Sequence, residues 1–589
     1  MYIENINSPA DMKGLSIDEL NVLADEVRKG ILNRVSEHGG HVGPNLGITE
    51  ATVAMHYVFD SPKDKFIFDV SHQSYPHKML TGRKDGFLDA TKMDHISGYS
   101  SPLESPEYDN FEVGHTSTSI ALASGLMKAR DIQHQKYNIV VVIGDGSLSG
   151  GEAFEGLDTV SEIGTGIIIV VNDNEMSIAE NHGGLYRNLK LLRESNGEAE
   201  LNYFKTFGFE YHYLEDGNDV GKLVELFKSV KDTKVPVVLH IHTEKGHGYK
   251  PAVDDKETWH WSMPFDLKTG KLKDSDALSG EDISDMMGEY FLNKIKEDPK
   301  TVIIAAATPV SFGFNKERRR KAGKHYIDVG IAEEEGVAIA SGLAKGGAHP
   351  VFSTYATFLQ RTYDQLAQDL AVNGNPAVIN VVGASVYGMN DFTHICFFDI
   401  PMISHIPNLV YLAPTTWEEW KAMEDWAIAQ EKYSVAIRVP AWEVRHDTVT
   451  EYDTDYSDLN KFKLVKKGQK VAVIAAGDFY QKGQALVDNL DAKENIQATL
   501  INPRFISGID EQMLHDLQFS HQMVVTLEDG SLDGGFGERI ARFYGPSQMQ
   551  VLNFGVKKQL YDRYDVNKLL EDNNLTDDQI FTEVKKRLI

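Results

Sequence analysis

The chain has 589 residues, 42% of them hydrophobic and 25% charged, which is ordinary usage for folded protein and excludes both a disordered chain and a miniature scaffold. Its 59 basic and 87 acidic residues leave a formal net charge of −28, which opposes broad adhesion to nucleic acid or to an anionic membrane. A single cysteine, Cys396, rules out an intrachain disulfide and a multi-cysteine metal site, and fits a cytoplasmic setting. The N-terminal MYIENINSPADMKGLS does not read as a signal peptide, and the strongest apolar runs, 139–143 and 167–171, fall well short of the roughly 20 residues that span a bilayer as a helix.

In chain order, KFIFDV, NIVVVI, GIIIVV and PVVLHIHT punctuate residues 65–243 as continuous apolar runs between segments of helical length. Such runs mark strands buried on both faces, as in a parallel α/β sheet. The segment TSTSIALASGLMKAR predicts a packed helix over 116–130, with Ser117 or Ser119 as candidate caps. A polar stretch containing DLKTGKLKDSDALSGED predicts a boundary within 265–295. Beyond it TVIIAAA, HYIDV, HPVFSTY and PAVINVV read as strands, and EEEGVAIASGLAKGG reads as a helix. A second transition near 445–465 precedes VAVIAAG, ATLINP and HQMVVTLE. The expectation is α/β architecture in three regions, 1–285, 286–450 and 451–589, with mostly parallel sheets. The basic cluster of Arg318, Arg319, Arg320, Lys321 and Lys324 reads as a solvated face rather than a nucleic-acid site.

Two segments carry the chemistry: VVVIGDGSLSG at 140–150 and VVNDNEMSI at 170–178. Each puts a compact polar turn directly after an apolar strand. Gly144 and Gly146 allow close approach to a phosphate, Asp145 offers a hard carboxylate oxygen, Asn174 an amide oxygen, and the chain near Met176 a carbonyl. Together these suit a Mg²⁺ ion bridging to a diphosphate. Neither the phosphate loop ending in GK and Ser or Thr nor a full GxGxxG pattern is present at this position, which favours a diphosphate cofactor of another kind. Upstream, HGGHVGPNLG, FDVSHQSYPHK and VGHTSTS supply His41, His72 and His115 as candidates for proton exchange. KGHGYKPAVDDKETWH adds His247 and His260, of which His260 is the better catalytic candidate.

Taken together, GGHVGPNLG, FDVSHQSYPHKMLTGR, VGHTSTSIA, GDGSLSGGEAFE and NDNEMSI resemble the 1-deoxy-D-xylulose-5-phosphate synthase family, within the thiamine-diphosphate, transketolase-like superfamily. The likeness continues through KGHGYKPA, DVGIAEEEGVAIASGLA, STYATFLQRTYDQ and FTHICFFD. It implies a three-domain transketolase-like architecture: a diphosphate-binding domain, a pyrimidine-binding domain and a smaller C-terminal domain. It also implies Asp145 and Asn174 as Mg²⁺ ligands with the Met176 carbonyl, and His72, His115, Gly144, Gly146, Ser147 and Phe358 beside thiamine diphosphate. Glu333 matches the acid that engages the cofactor's aminopyrimidine. Tyr355, Arg361 and His394 match substrate positions, and His41 and His260 match groups that move protons or orient substrate. The implied reaction decarboxylates pyruvate and joins the two-carbon unit to an aldehyde, in a cytoplasmic homodimer serving isoprenoid and thiamine biosynthesis.

The likeness breaks at the acceptor. Gly383 and Ala441 stand where the family carries arginines for the acceptor phosphate, and Asn390 stands where it commonly carries an aspartate. Arg438 or Arg445 would have to compensate. The segment between NDNEMSI and KGHGY is short, and EEE replaces the usual EQH at 333–335. Two alternatives follow: a transketolase-like enzyme with a ketose donor or a different aldehyde acceptor, and a noncatalytic cofactor-binding paralogue.

Overall fold

A computed structural model describes residues 2–273, 280–441, 443–447 and 453–588. The boundary expected at 450, Trp442 of RVPAWEV and residues 274–279 of the polar stretch lie outside the described residues. The chain forms two compact units, Met1–Gly280 with Gly330–Ala332, and Glu281–Val329 with Glu333–Ile589.

In the first unit, β1 (Gly40–His41) and β7 (Trp261–Ser262) form a short antiparallel ribbon that pairs His41 with Trp261. The main sheet contains β2 (Lys65–Phe68), β3 (Ile139–Gly144), β4 (Ile167–Asp173), β5 (Glu210–Leu214) and β6 (Pro236–His242) in the order β2-β3-β4-β6-β5, with every pair parallel. Alternate residues serve two cores. Val140, Val142, Ile168 and Val170 join helices Ile17–His38, Gly43–Val58 and Val220–Val230. Val141, Ile143, Ile169 and Val171 join helices Ser119–Ile132 and Gly151–Ile163. Cover on both faces is why these strands read as unbroken apolar runs. β5, with the sequence EYHYL, is an edge strand with no fully buried residue, and it carries no such run.

The second unit contains two sheets. β8 (Thr301–Ala305), β9 (Tyr326–Asp328), β10 (His349–Tyr355), β11 (Val378–Val382), β12 (Leu409–Leu412) and β13 (Ser434–Arg438) are parallel in the order β12-β13-β11-β10-β8-β9. β14 (Lys463–Lys466), β15 (Lys470–Ala475), β16 (Thr499–Asn502), β17 (His521–Ser531) and β18 (Gln550–Val556) follow in the order β14-β16-β15-β17-β18, with only β14 antiparallel. Phe352, Ile379 and Val381 of the first sheet share one core with Ile474, Ile501 and Val524 of the second. That shared apolar layer explains why two regions expected from sequence fold as one unit. Among the described residues no helix is long and apolar enough to cross a membrane.

The basic cluster departs in part from the solvated face expected of it. Arg319 is buried and donates from Nη1 to the Phe314 carbonyl at 2.9 Å, while Arg318 pairs with Asp285 at 2.6 Å.

Helix Trp417–Ala429 carries a fully buried carboxyl, Glu424, whose Oε1 accepts a hydrogen bond from Asn380 Nδ2 of β11 at 3.1 Å. Burial pushes Glu424 from the ordinary 4.5 up to about 8, against the opposing pull of Asn380. A carboxyl whose folded pKa is raised contributes stability that is complete below about 4.5 and is lost as pH rises through 8. Glu424→Gln removes this dependence. The expected result is little change in thermal midpoint at pH 5 and an advantage for the variant at pH 9 on the order of 1–3 kcal/mol. Calorimetric melts of both proteins across that range check it.

Candidate active site

β3 and β4 are parallel neighbours, and Gly144 lies opposite Asn172. The chain therefore leaves β3 at Asp145 and β4 at Asn174 side by side, at the carboxyl edge where α/β sheets bind ligands. Gly146 opens the turn after Asp145, and a Cβ there would fall 2.5 Å from Ser177 Oγ, so glycine is demanded by close packing of the two turns. At Gly144 a Cβ would meet nothing within 4 Å, so protein packing does not impose a glycine at that position.

Asp145 is buried, and its Oδ2 accepts a hydrogen bond from Asn181 Nδ2 at 2.6 Å. Among the described residues, its Oδ1 and the Oδ1 of buried Asn174 have no hydrogen-bond partner. Burial, and then the charge of Asp173, push the Asp145 carboxyl well above its usual range. Asp173 itself is buried, yet His240 at 2.8 Å and Arg193 at 2.5 Å hold it below that range. Two bare hard oxygens on adjacent strand ends fit a divalent cation such as Mg²⁺, which favours about six oxygen ligands. Met176, half-buried two residues beyond Asn174, is placed in the same turn by a bridge to Glu180. Among the described residues no three His, Cys, Asp or Glu side chains are grouped to hold a metal by themselves. The remaining ligands would have to come from the bound molecule, as diphosphate oxygens do.

The surrounding turns are fixed by buried polar contacts. Asp69 accepts the Ser117 and Ser119 backbone N–H groups at 2.9 and 3.1 Å, which sets the segment after His115. Ser117 Oγ donates to the Ser147 carbonyl at 2.8 Å. The rings of His41, His72 and His260 form a cluster with centroid separations of 5.1, 5.6 and 5.3 Å. Burial, followed by the positive field of Lys245, pushes His260 well below the usual histidine range, which keeps it neutral. Lys245 escaped the reading of the sequence, although the KGHGYK segment was in view. It is fully buried and donates from Nζ to the Ser177 carbonyl at 2.6 Å; desolvation takes it from 10.5 to about 7. Its stem runs past Gly43, where a Cβ would lie 3.2 Å from Lys245 Cγ, so the glycines of HVGPNLG are the sequence trace of this buried cation.

In the second unit Glu333 begins helix Glu333–Lys345 and is buried, with Arg361 Nη1 at 3.3 Å from its Oε2. Burial pushes Glu333 from 4.5 up to about 7, although Arg361 pulls the other way. Tyr355 ends β10, Phe358 follows it with ring centroids 5.9 Å apart, and His394 meets Phe358 edge-on at 5.6 Å. His394 Nδ1 lies 2.8 Å from Thr393 Oγ1. One acid, one base of adjustable tautomer and an aromatic wall thus share this unit.

Arg438 does not supply the compensation considered from sequence. It is buried, with Nε 2.9 Å from Asp399 Oδ2 and Nη1 2.5 Å from Asp529 Oδ1, so its charge is spent inside the unit. The Ala441 N–H donates to Asp478 at 3.1 Å, and Arg445 Nη2 donates to the Asp478 carbonyl at 3.4 Å. Gly383 has φ of 68°, a left-handed conformation that disfavours any side chain. Asn390 donates to the Tyr564 carbonyl at 2.9 Å.

Comparison with known proteins follows the same lines. Residues 3–202 match the family described as 1-deoxy-D-xylulose-5-phosphate synthase, residues 281–445 the transketolase pyrimidine binding domain, and residues 460–580 the transketolase C-terminal domain. The 1-deoxy-D-xylulose-5-phosphate synthase of Clostridium tetani is 35% identical over 614 residues, covering 98% of this chain and 98% of its own. Those of Listeria monocytogenes and Halothermothrix orenii are 34% and 36% identical, covering 99% and 93% of this chain and 97% and 91% of their own. The chain belongs to the 1-deoxy-D-xylulose-5-phosphate synthase family. This is a thiamine-diphosphate-dependent, transketolase-like family of transferases, and the mostly parallel α/β sheets are its architecture.

If the bare oxygens form a metal site for a diphosphate, Asp145→Ala removes its only charged ligand. Titration calorimetry with inorganic diphosphate is expected to show affinity in the presence of Mg²⁺ falling about 100-fold, with affinity in its absence unchanged.

Proposed function

We propose that the chain is a carboligase dependent on thiamine diphosphate and Mg²⁺, which decarboxylates pyruvate and joins the two-carbon unit to an aldehyde. The observation that carries this reading is the pair of buried oxygens on Asp145 and Asn174 at adjacent strand ends, without a hydrogen-bond partner among the described residues. Asp145, Asn174 and the Met176 carbonyl would hold the metal, while His72, His115, Gly146 and Ser147 would border the diphosphate. Bound thiamine diphosphate supplies an electron sink for the carboxylate's departure. A cytoplasmic homodimer acting in isoprenoid and thiamine biosynthesis is the setting that the family resemblance supports.

Glu333 is suited to hold or release a proton near neutrality, because burial and Arg361 balance near pH 7. Its part is a hydrogen bond from its carboxyl to the aminopyrimidine ring. Phe358 gives an apolar wall beside His394, and Arg361 adds positive potential next to the carboxyl. His41, His72 and neutral His260 can accept or donate protons to substrate oxygens.

The acceptor is the point of divergence. The relatives are named for a phosphorylated product, but Gly383 and Ala441 offer no cation, and Arg438 is held by two aspartates. Ala441 instead bonds a buried carboxyl, Asp478, which burial raises to about 6. This favours acceptors with a weaker demand for phosphate binding, and glyceraldehyde 3-phosphate becomes one aldehyde among several.

Two measurements test the reading. Glu333→Gln should bind thiamine diphosphate normally yet slow exchange of the cofactor's acidic ring proton about 100-fold, and should lose the pH dependence centred near 7. Nuclear magnetic resonance at matched occupancy decides; parental exchange in the variant removes Glu333 from the chemistry. In a product-resolved screen, carbon dioxide release from pyruvate is expected, and the kcat/KM ratio of glyceraldehyde 3-phosphate over unphosphorylated glyceraldehyde should be about tenfold or less. Turnover of a ketose donor without carbon dioxide release would establish transketolase chemistry instead, and cofactor binding without either would mark a noncatalytic paralogue.

A further inference from the structure

The turn that delivers His72 from β2 is strained. Val70 and Ser71 have φ of 56° and 62°, left-handed values that disfavour side chains, above all a β-branched one such as Val70. A turn of this kind persists only where its surroundings over-determine it. Two of the groups that hold it are Asn45 Nδ2, which donates to the His72 carbonyl at 2.8 Å, and the Ser71 hydroxyl, which is fully buried. It donates to the Val113 carbonyl and accepts the Ser100 N–H at 2.8 Å, using both of its capacities on two points of a single segment. That segment, residues 97–115, crosses the turn as a strap and ends at His115.

The strap is anchored at its centre by buried charge. Asp109 receives Arg83 Nη1 and Nη2 at 2.6 and 2.9 Å, His77 Nε2 at 2.9 Å and the Ser101 N–H at 2.7 Å. Glu104 receives Lys78 Nζ at 2.6 Å and the Ser97 N–H at 2.5 Å. His77, Lys78 and Arg83 all follow His72 in the next stretch of chain. The strap is thereby tied to the stretch beyond the turn by charge, and to the turn through the Ser71 hydroxyl.

We propose that Ser71 is a positioning residue, whose hydroxyl pins the His72 turn to the strap and so fixes the spacing of His72 and His115 for the diphosphate-bearing cofactor. This rests on the proposed function for its ligand, and on the hydrogen bonds of Ser71 for its geometry. Glycine would suit the backbone at position 71 better than serine does, so the side chain is present for what its oxygen binds.

Comparing Ser71→Gly with Val70→Gly separates the hydroxyl from the strain. Both substitutions suit positive φ, and only the first removes the pin. Ser71→Gly is expected to keep its thermal midpoint within a few degrees while its affinity for thiamine diphosphate with Mg²⁺ falls about tenfold or more, because two buried hydrogen bonds are lost. Amide hydrogen exchange of residues 97–115 should accelerate by a similar factor. Val70→Gly should retain parental affinity and exchange. Parental affinity and exchange in Ser71→Gly overturn the proposal, and so do equal losses in both variants, which would assign the effect to backbone conformation. Failure of the unsubstituted chain to bind thiamine diphosphate would refute the proposed function, and the exchange comparison would still decide whether the pin exists.

Discussion

The molecule depends on placing polar oxygens where parallel strands end. Strands covered on both faces must be apolar along their length, so the first positions free to carry charge are those just beyond the carboxyl edge. Asp145 and Asn174 occupy those positions on neighbouring strands, and burial makes their unshared oxygens costly until a ligand meets them. Asp69, Asp173 and Lys245 are further buried charged groups serving the same edge, each held by defined partners.

The second unit uses burial differently. Glu333 is shielded enough to titrate near neutrality, and Arg361 keeps it from becoming a permanently neutral acid. Arg438 has the opposite fate: two aspartates hold it ionised and commit its charge to pairing inside the unit. Charges of one sign are thus divided between chemistry and cohesion by what surrounds them, which residue type alone does not reveal.

What the sequence made legible follows from that logic. NIVVVI and GIIIVV announced β3 and β4 because both faces are covered, and GDG and NDNEM announced the turns because packing demands the second glycine and polar residues can stand where the strands end. EYHYL was silent because an edge strand needs no continuous apolar run. LVYL and SVAIR passed unnoticed because runs of four or five residues resemble buried helix fragments as readily as strands. Arg319 looked solvated because composition does not reveal a guanidinium folded back onto the carbonyl of Phe314, five residues earlier. Lys245 and Ser71 matter through distant partners and, for Ser71, through a backbone angle that a serine does not advertise.

The apolar layer shared by β10, β11, β15, β16 and β17 bears on how such a chain can change over time. A C-terminal sheet that closes its neighbour's interior cannot be exchanged, shortened or deleted as an independent module without baring Phe352, Ile379 and Val381. A change that loosens one sheet is therefore felt in the other. Positions 383 and 441 lie outside that layer, the first in a left-handed backbone that favours glycine and the second with its N–H bonded to Asp478.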